Sequence, residues 1–445
     1  MKVLMFGWEF PPHISGGLGI ACHGLTQSLA EGDIQILFVI HKADSDTTAD
    51  GVNIINASNI LIPVQEFKNQ PLSAQNETKG KATRTVSNVT TIAVPSDLQP
   101  YNSPDVLLGV NTISQWNYQF LVSGIVKVKE QDKVRYQFSG GYGPTLMEEV
   151  QQFAKVASEI ARQNTFHIIH AHDWLTYQAG IAAKEISGRP LVIHVHATEY
   201  DRAGENIDPR IYNIEQKGMQ AADRIIAVSQ WTKNIITSKY GIPESKVMVV
   251  HNGVIPREEN AKILRPPIGK RVVTFLGRIT HQKGPQYFIE AARKVLRKFP
   301  DVHFVMAGSG DLLARMIERV AQLRISSRFH FTGFLKGEQV DKIWSVSNVY
   351  VMPSVSEPFG ISPLEAAMAG VPVIISKQSG VAEVMKHAIQ VDFWNIEALT
   401  DAICNLLKYE SLSKTLKNKC EKEVSEITWT QAAKKINTIY HELTN

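Results

Sequence analysis

The chain reads as an α/β protein built from two parallel-sheet domains. Three observations predict this. Its 445 residues exceed what one hydrophobic core usually serves, so two large domains are expected. Short β-branched apolar runs alternate with longer segments of helical periodicity, the pattern of βαβ units whose strands are buried on both faces. A charged, Pro-rich and aperiodic stretch, Val254 to Lys270, has the composition of a domain boundary.

In the first half the strand-like runs are Lys2–Phe6, Ile34–Ile40, Phe166–His170, Leu191–His196 and Arg224–Val228. The first runs into Pro11-Pro12, and a helix is expected over Ile20–Ala30. From Asp44 to Gly143 the alternation is lost. Polar stretches such as Gln70–Thr85 read as an irregular elaboration of the first domain. Tyr101, Trp116, Tyr118, Phe120, Tyr136, Phe138 and Tyr142 read as core or lid packing, with a carbohydrate platform as the alternative. A fresh strand starts at Arg271, and Val272–Leu276, His303–Ala307, Val349–Met352 and Val371–Ile375 supply the second sheet. The last helix spans Trp429 to Leu443, and no repeat of solenoid period is present.

Composition narrows the function classes. A net charge of +4 is small for this length and does not indicate nucleic acid or a membrane surface as partner. Cys22, Cys404 and Cys420 are far apart and odd in number, with no metal-ligand spacing and no disulfide framework. No run approaches the roughly 18 apolar residues of a membrane span. The N-terminal run lacks the apolar length of a signal peptide, so the three Asn-x-Ser/Thr matches at Asn56, Asn76 and Asn88 are read as chance. The expectation is a soluble, reduced, cytoplasmic protein; oligomeric state is not encoded in any of this.

The chemistry-bearing motifs sit where strands give way to helices, the place where open α/β sheets collect ligands. Ser15-Gly16-Gly17-Leu18-Gly19 precedes the first helix, and its glycines allow close backbone approach to a ligand or simply a tight turn. It is not the dinucleotide fingerprint, because after Gly17-x-Gly19 the next glycine is Gly24. His170-Ala171-His172-Asp173-Trp174 closes a later strand. Its His-x-His pair invites a zinc reading, but zinc needs further ligands of suitable spacing, so no metal site is assigned. His194-Val195-His196-Ala197-Thr198-Glu199-Tyr200-Asp201-Arg202 follows the next strand. There His196 and Glu199 could bond sugar hydroxyls, and Asp201 and Arg202 could pair on the surface. Asp44-Ser45-Asp46 spells a D-x-D but lies in a polar Ser/Thr/Asp stretch and is read as coincidence.

In the second half, Gly277-Arg278-Ile279-Thr280-His281-Gln282-Lys283-Gly284 puts two cations in one strand-to-helix loop. Arg offers a fork for phosphate oxygens and Lys a point charge, so Arg278 and Lys283 suit a leaving diphosphate. Gly308-Ser309-Gly310 lies in the next strand-to-helix connection, and Phe331-Thr332-Gly333-Phe334-Leu335 reads as another loop. Glu357-Pro358-Phe359-Gly360-Ile361-Ser362-Pro363-Leu364-Glu365 carries two carboxylates separated by seven residues at the start of a small-residue helix that Gly370 and Pro372 end. The alternative is a capping box, Ser362-x-x-Glu365, with Pro363 at the first helical position.

Together these residues resemble the retaining glycosyltransferases of the GT-B fold: glycosyltransferase family 4, the "group 1" transferases, and the glycogen synthases. Glu357-x7-Glu365 resembles their E-x7-E signature, Gly277-Arg278…Lys283-Gly284 their phosphate loop, His172-Asp173-Trp174 and His196-x-Thr198-Glu199-x-x-Arg202 their glucan-enzyme motifs. The glycine loop departs from the glycogen synthases, which usually carry Lys two residues before the glycine pair, where this chain has Ile14. The resemblance covers nearly the whole chain and is weakest from Asp44 to Gly143.

The resemblance implies two Rossmann-like domains facing a cleft: residues 1–254 for the acceptor, 255–428 for the nucleotide sugar, and a final helix, 429–445, returning to the first domain. It implies transfer of a hexosyl group, glucosyl by preference, from a nucleotide sugar such as UDP-glucose or ADP-glucose to a glycan acceptor, an α-glucan. His172, Arg278, Lys283 and Glu357 would do the chemistry. Gly16, Gly17, His196, Glu199, Gly308, Gly310, Phe359, Gly360, Ile361 and Glu365 would hold the donor, Glu365 at the ribose. No metal and no cofactor are implied. The rival readings are a family 4 transferase with a small or lipid-linked acceptor, and a GT-B sugar-nucleotide epimerase.

Overall fold

The computed structural model of the protein describes residues 1–11, 16–41, 47–49, 52–63, 126–130, 133–139, 142–254 and 271–444. The expectations at Ile14, Ser15, Asp44–Asp46, Tyr101, Trp116, Tyr118, Phe120 and residues 255–270 lie outside these residues.

The chain opens with β1 (Lys2–Gly7), α1 (Gly17–Glu31), β2 (Gln35–Ile40), β3 (Thr47–Ala49) and β4 (Val52–Asn56). Then come β5 (Ile62–Pro63), β6 (Val126–Glu130), β7 (Lys133–Gln137) and α2 (Leu146–Gln163). Next are β8 (Ile168–His172), α3 (Trp174–Ser187), β9 (Leu191–Val195), α4 (Glu199–Ala203) and α5 (Pro209–Ala221). β10 (Arg224–Ala227), α6 (Gln230–Tyr240) and β11 (Val247–Val249) follow. These strands form a sheet in the order β11-β10-β9-β8-β1-β2-β4-β3, with β5, β7 and β6 set apart as a small antiparallel sheet. Every pair of the large sheet is parallel except β3 with β4.

The second half begins with β12 (Val272–Leu276), α7 (Pro285–Lys298), β13 (His303–Ala307) and α8 (Leu313–Gln322). It continues with β14 (Phe329–Gly333), α9 (Glu338–Val346), β15 (Val349–Met352), α10 (Ser362–Met368), β16 (Val373–Ser376) and β17 (Ile389–Val391). Its sheet, β14-β13-β12-β15-β16-β17, is parallel throughout. The chain ends in α11 (Ile396–Lys408), α12 (Glu410–Ser425) and α13 (Trp429–Thr444).

The alternation in the sequence has the physical cause expected of it. Val3, Leu4, Met5 and Phe6 of β1 are all fully buried, so both faces of the strand must be apolar. Helices cover each face. α2 shows the spacing that buries one stripe: Leu146, Val150, Phe153, Ala157 and Ile160 pack inward. Three strand expectations shift, the run expected at Val371–Ile375 pairing as Val373–Ser376. The run expected at Phe166–His170 pairs as Ile168–His172, with Phe166 filling the core just outside the strand. Phe331–Leu335, expected as a loop, contributes Phe331, Thr332 and Gly333 to β14.

α13 leaves the second sheet and packs on α1 and β8 of the first. Trp429 lies against Gly24, where an added Cβ would sit 2.3 Å from the indole nitrogen. Tyr440 reaches the buried ring of His170 through its hydroxyl. Among the described residues no helix is long and apolar enough to cross a membrane.

Candidate active site

The second sheet presents three loops at the carboxyl ends of its strands. The first follows β12 and carries Arg278 and Lys283. It is locked to the loop after β13 by Ile279 N–H on Ser309 O at 2.8 Å and Gly277 N–H on Ala307 O at 3.0 Å. A Cβ at Gly308 would lie 1.9 Å from Gly277 O, and one at Gly310 2.4 Å from Ile279 O. Both glycines, expected to admit the donor, therefore first admit the backbone of the Arg278 loop. Arg278 is half-buried; it and His281 draw down the carboxyl of Asp311, which burial pushes up.

Lys283 ends the short 3-10 turn His281–Lys283, and the preceding residue ties this loop to the third one, Gln282 O accepting from Val355 N–H at 2.8 Å. The Lys283 ammonium is ion-paired with Glu357, and Ser354 Oγ donates to the same carboxylate oxygen at 3.2 Å. Gly360 turns the chain at φ 100°, and a Cβ there would come within 3.1 Å of Glu357 Cγ and 3.2 Å of Met352 Cε. Only a glycine lets the loop fold back over the Glu357 side chain without displacing it.

The capping-box alternative at Ser362 does not form. Ser362 bonds sideways to Tyr350 Oη at 2.8 Å, and α10 begins with no side-chain cap. Glu365 stands half-buried in α10. Phe359 is buried, lies tilted against the His251 ring at 5.8 Å and lends its carbonyl to Val381 N–H at 2.8 Å, so its ring serves packing. Ile361 is half-buried and packs against the apolar clusters of both domains.

The first sheet contributes its own strand ends. Parallel pairing sets His172 opposite His194, and alternation puts His170, His172, His194 and His196 on one side. Their rings stack: His170 on His172 at 4.3 Å, His194 on His196 at 4.3 Å. His172 Nδ1 and His196 Nε2 are hydrogen-bonded at 2.9 Å. Burial holds all four neutral, lowering His170 and His196 to about 3 and His172 and His194 well below the ordinary value. Asp173, at φ 61°, turns its carboxylate onto the backbone N–H groups of His196 (3.0 Å) and Ala197 (3.2 Å), and burial raises it to about 6.

Two sets of ligand atoms lie within 4.8 Å of one another among the described residues: Cys22, His172 and His196, and His170, His172 and His194. A metal is approached in the plane of each imidazole, whereas stacked rings present parallel planes. Coordination would require these rings to turn. Burial, with Glu9 and Asp173 nearby, also pushes the Cys22 thiol up, away from the thiolate a metal needs.

Glu199 is not turned toward the cations of the second domain. It is 2% exposed, its Oε2 takes Arg202 Nε at 3.0 Å, and its Oε1 takes Asp208 N–H at 3.1 Å. Asp201 and Arg202, offered as a possible surface pair, are not on the surface but 3% and 6% exposed. Arg202 is instead buried between Glu199 and Glu215, and Asp201 closes a capping box with Thr198 at the start of α4. Gly16 N–H donates to Glu9 Oε2 at 3.0 Å, and added Cβ atoms at Gly16 and Gly17 would meet open space. Glu9, which also bonds Tyr142, went unmarked in the sequence reading, since a lone carboxylate after a first strand carries no spacing signal.

The two domains meet across the Glu357 loop. Ser356 Oγ donates to Asp201 Oδ1 at 2.6 Å and accepts from Trp231 Nε1 at 3.3 Å. Ser229 Oγ donates to Pro358 O at 2.5 Å. Glu383 accepts from Gln230 N–H (2.9 Å), Trp231 N–H (2.8 Å) and His251 Nε2 (2.8 Å). α4 packs on the turn that ends in Lys283. Lys283 and Glu357 of the second domain thus belong to loops that meet α4 and the start of α6 of the first.

Comparison with known proteins follows this division. Residues 132–258 match the family model Glycosyltransferase Family 4, and residues 256–423 match Glycosyl transferases group 1. An uncharacterized glycosyltransferase of Methanocaldococcus jannaschii is 26% identical over 461 residues, covering 99% of this chain and 98% of its own. A glycogen synthase of Mycobacterium tuberculosis is 23% identical over 86% of this chain and 80% of its own. Sucrose-phosphate synthase from Thermosynechococcus elongatus superposes with a TM-score of 0.70 at 18% identity, over 100% of this chain and 99% of that one. The catalytic domain of starch synthase IV from Arabidopsis thaliana, bound to ADP and acarbose, gives 0.65 at 16% identity, covering 100% and 99%. Anabaena HepE in complex with UDP-glucose gives 0.63 at 15% identity, covering 100% of both. These structural likenesses establish the shared two-domain architecture.

Proposed function

We propose that the chain is a glycosyltransferase of the GT-B fold, of the family 4 and group 1 type, that moves a hexosyl group, glucosyl by preference, from a nucleotide sugar to a glycan acceptor with retention of configuration. The observation that carries this reading is the pairing of Lys283, from the loop that also carries Arg278, with Glu357 at the carboxyl ends of β12 and β15, where α4 packs on the Lys283 turn and Asp201 and Trp231 bond the neighbouring Ser356.

In this reading Arg278 and Lys283 take the diphosphate, where negative charge grows as the sugar departs. Glu357 and the backbone after it take the donor sugar, and Glu365 the ribose. His172 lines the reacting face as a neutral imidazole, suited to hydrogen bonding rather than charge. No metal enters the scheme, because the two cations supply the charge that a metal would. An α-glucan acceptor is supported by the kinds of protein the chain resembles, a glycogen synthase and a starch synthase bound to ADP and acarbose.

The test is incubation with UDP- and ADP-sugars, with and without a maltooligosaccharide primer, following released nucleotide and chain growth. Primer-dependent release with elongation supports the proposal. Release only with small or lipid-linked acceptors would move the reading to that branch of family 4. Isomerised sugar without nucleotide accumulation would replace transfer by epimerisation.

A further inference from the structure

Ser356 is held from two sides by the first domain. Its hydroxyl hydrogen goes to Asp201 Oδ1 at 2.6 Å, and its oxygen receives Trp231 Nε1–H at 3.3 Å. Both partners are themselves fixed. Asp201 is 3% exposed, and its Oδ2 accepts from Thr198 N–H and Oγ1–H, each at 2.8 Å. Trp231 anchors its peptide N–H on Glu383 at 2.8 Å. Two residues further along the second-domain loop, Pro358 O accepts from Ser229 Oγ at 2.5 Å and Thr232 Oγ1 at 3.3 Å.

Glu357 therefore sits between two residues that the first domain grips, while its own side chain faces Lys283 within the second domain. A hydroxyl donating to a carboxylate that is out of water is among the stronger hydrogen bonds. Contact between the domains is thereby converted into a set position for the glutamate beside the cation.

We propose that Asp201 and Trp231, acting through Ser356, are positioning residues for the transfer reaction: they set Glu357 against Lys283 when the two domains are together. This rests on the reading of Lys283 and Glu357 as the donor site. It goes beyond that reading by giving α4 and α6, which carry no group for the donor itself, a share in the rate. It also assigns Asp201 a role that its cap on α4 alone would not require.

Ser356→Ala removes the bridge while leaving the Thr198–Asp201 cap and the Trp231–Glu383 contact. Trp231→Phe removes the indole donor along with part of the ring. With the nucleotide sugar that the wild type turns over, Ser356→Ala should lower turnover about tenfold and Trp231→Phe about threefold. The double variant should fall little below Ser356→Ala, because both act on one hydroxyl. Affinity for UDP and ADP should stay within about threefold of wild type, since Arg278 and Lys283 are untouched, and Ser356→Thr should recover most of the rate.

Hydrogen exchange supplies a readout that needs no activity. Ser356→Ala should reduce protection together in residues 199–203, 230–234 and 354–362. Unchanged exchange in the first-domain segments, or a loss of nucleotide affinity equal to the loss of turnover, would overturn the positioning role. Coupled exchange in a protein that transfers no sugar would instead bring down the donor-site reading.

Discussion

Lys283 and Glu357 are joined as an ion pair linking the loop after β12 to the loop after β15. The cation expected to meet a diphosphate thus rests against a carboxylate expected to meet the sugar, with the glutamate 7% and the lysine 21% exposed. A donor entering here would exchange one anionic partner of Lys283 for another, so the ammonium is already oriented for phosphate oxygens before binding.

Replacing either cation should separate function from stability. Lys283→Ala and Arg278→Ala should each reduce turnover about 10²–10³-fold, the scale for one preorganised electrostatic group. Lys283→Ala should also lower the melting temperature, because it leaves the buried Glu357 carboxylate with Ser354 but no cation. Arg278→Ala should move it little. Melting curves and steady-state rates check both; near-normal transfer from both folded variants would remove the proposed donor site.

Gly360→Ala places a methyl group about where Glu357 Cγ and Met352 now pack, and at a φ that side chains rarely adopt. The strain is of order 1–3 kcal/mol. Turnover should fall more than nucleotide affinity, since Glu357 moves while Arg278 does not. Equal rates for variant and wild type would show that the glutamate is not held by this turn.

The four stacked histidines make the first domain acid-sensitive. Their pKa values lie below the ordinary 6.5 of the unfolded chain, with His170 and His196 at about 3. Their contribution is therefore complete above pH 6.5 and is lost as pH falls toward 3. Asp173 and Glu215, raised to about 6 and about 7 chiefly by burial, run the other way and lose stability as pH rises through those values. His194 has no hydrogen-bond partner at either ring nitrogen among the described residues. His194→Leu should keep near-native stability at pH 7.5. It should flatten the decline between pH 6 and 4.5 by up to about 1.4 kcal/mol per pH unit, one proton's worth. Urea unfolding across that range decides it, and parallel slopes would refute it.

Transfer should survive a strong chelator, since Arg278 and Lys283 supply positive charge at the phosphate loop. Activity lost in EDTA and restored by manganese or magnesium would contradict this.

The parallel sheets were legible because buried strands need apolar residues on both faces, a local pattern. Arg278 and Lys283 were legible as a pair because one loop carries them. The Lys283–Glu357 pairing was not, since it joins residues in different βα units and nothing local encodes which loops abut. Glu199 looked available because Arg202, three residues on, was read as a surface partner of Asp201, whereas Glu215 from the following helix draws Arg202 into the interior beside Glu199. Ser362 matched a capping box in spacing, but Tyr350, from the preceding strand, competed for its hydroxyl and won.

The return of α13 to α1 bears on how the protein is made. α1 leaves the ribosome long before α13. At about 5–20 residues per second, the chain between Glu31 and Trp429 takes on the order of 20–80 s to appear. Through that interval the apolar surface formed by Cys22, Leu25 and Leu29, joined by Ile168 once β8 is made, lacks Ile436, Ile439 and Tyr440, which later cover it. The second sheet, encoded without a break from β12 to β17, can close before the first is finished. The domain synthesised first is therefore the one completed last, and a nascent chain stalled short of Trp429 would expose that groove to chaperones or to other unfinished copies.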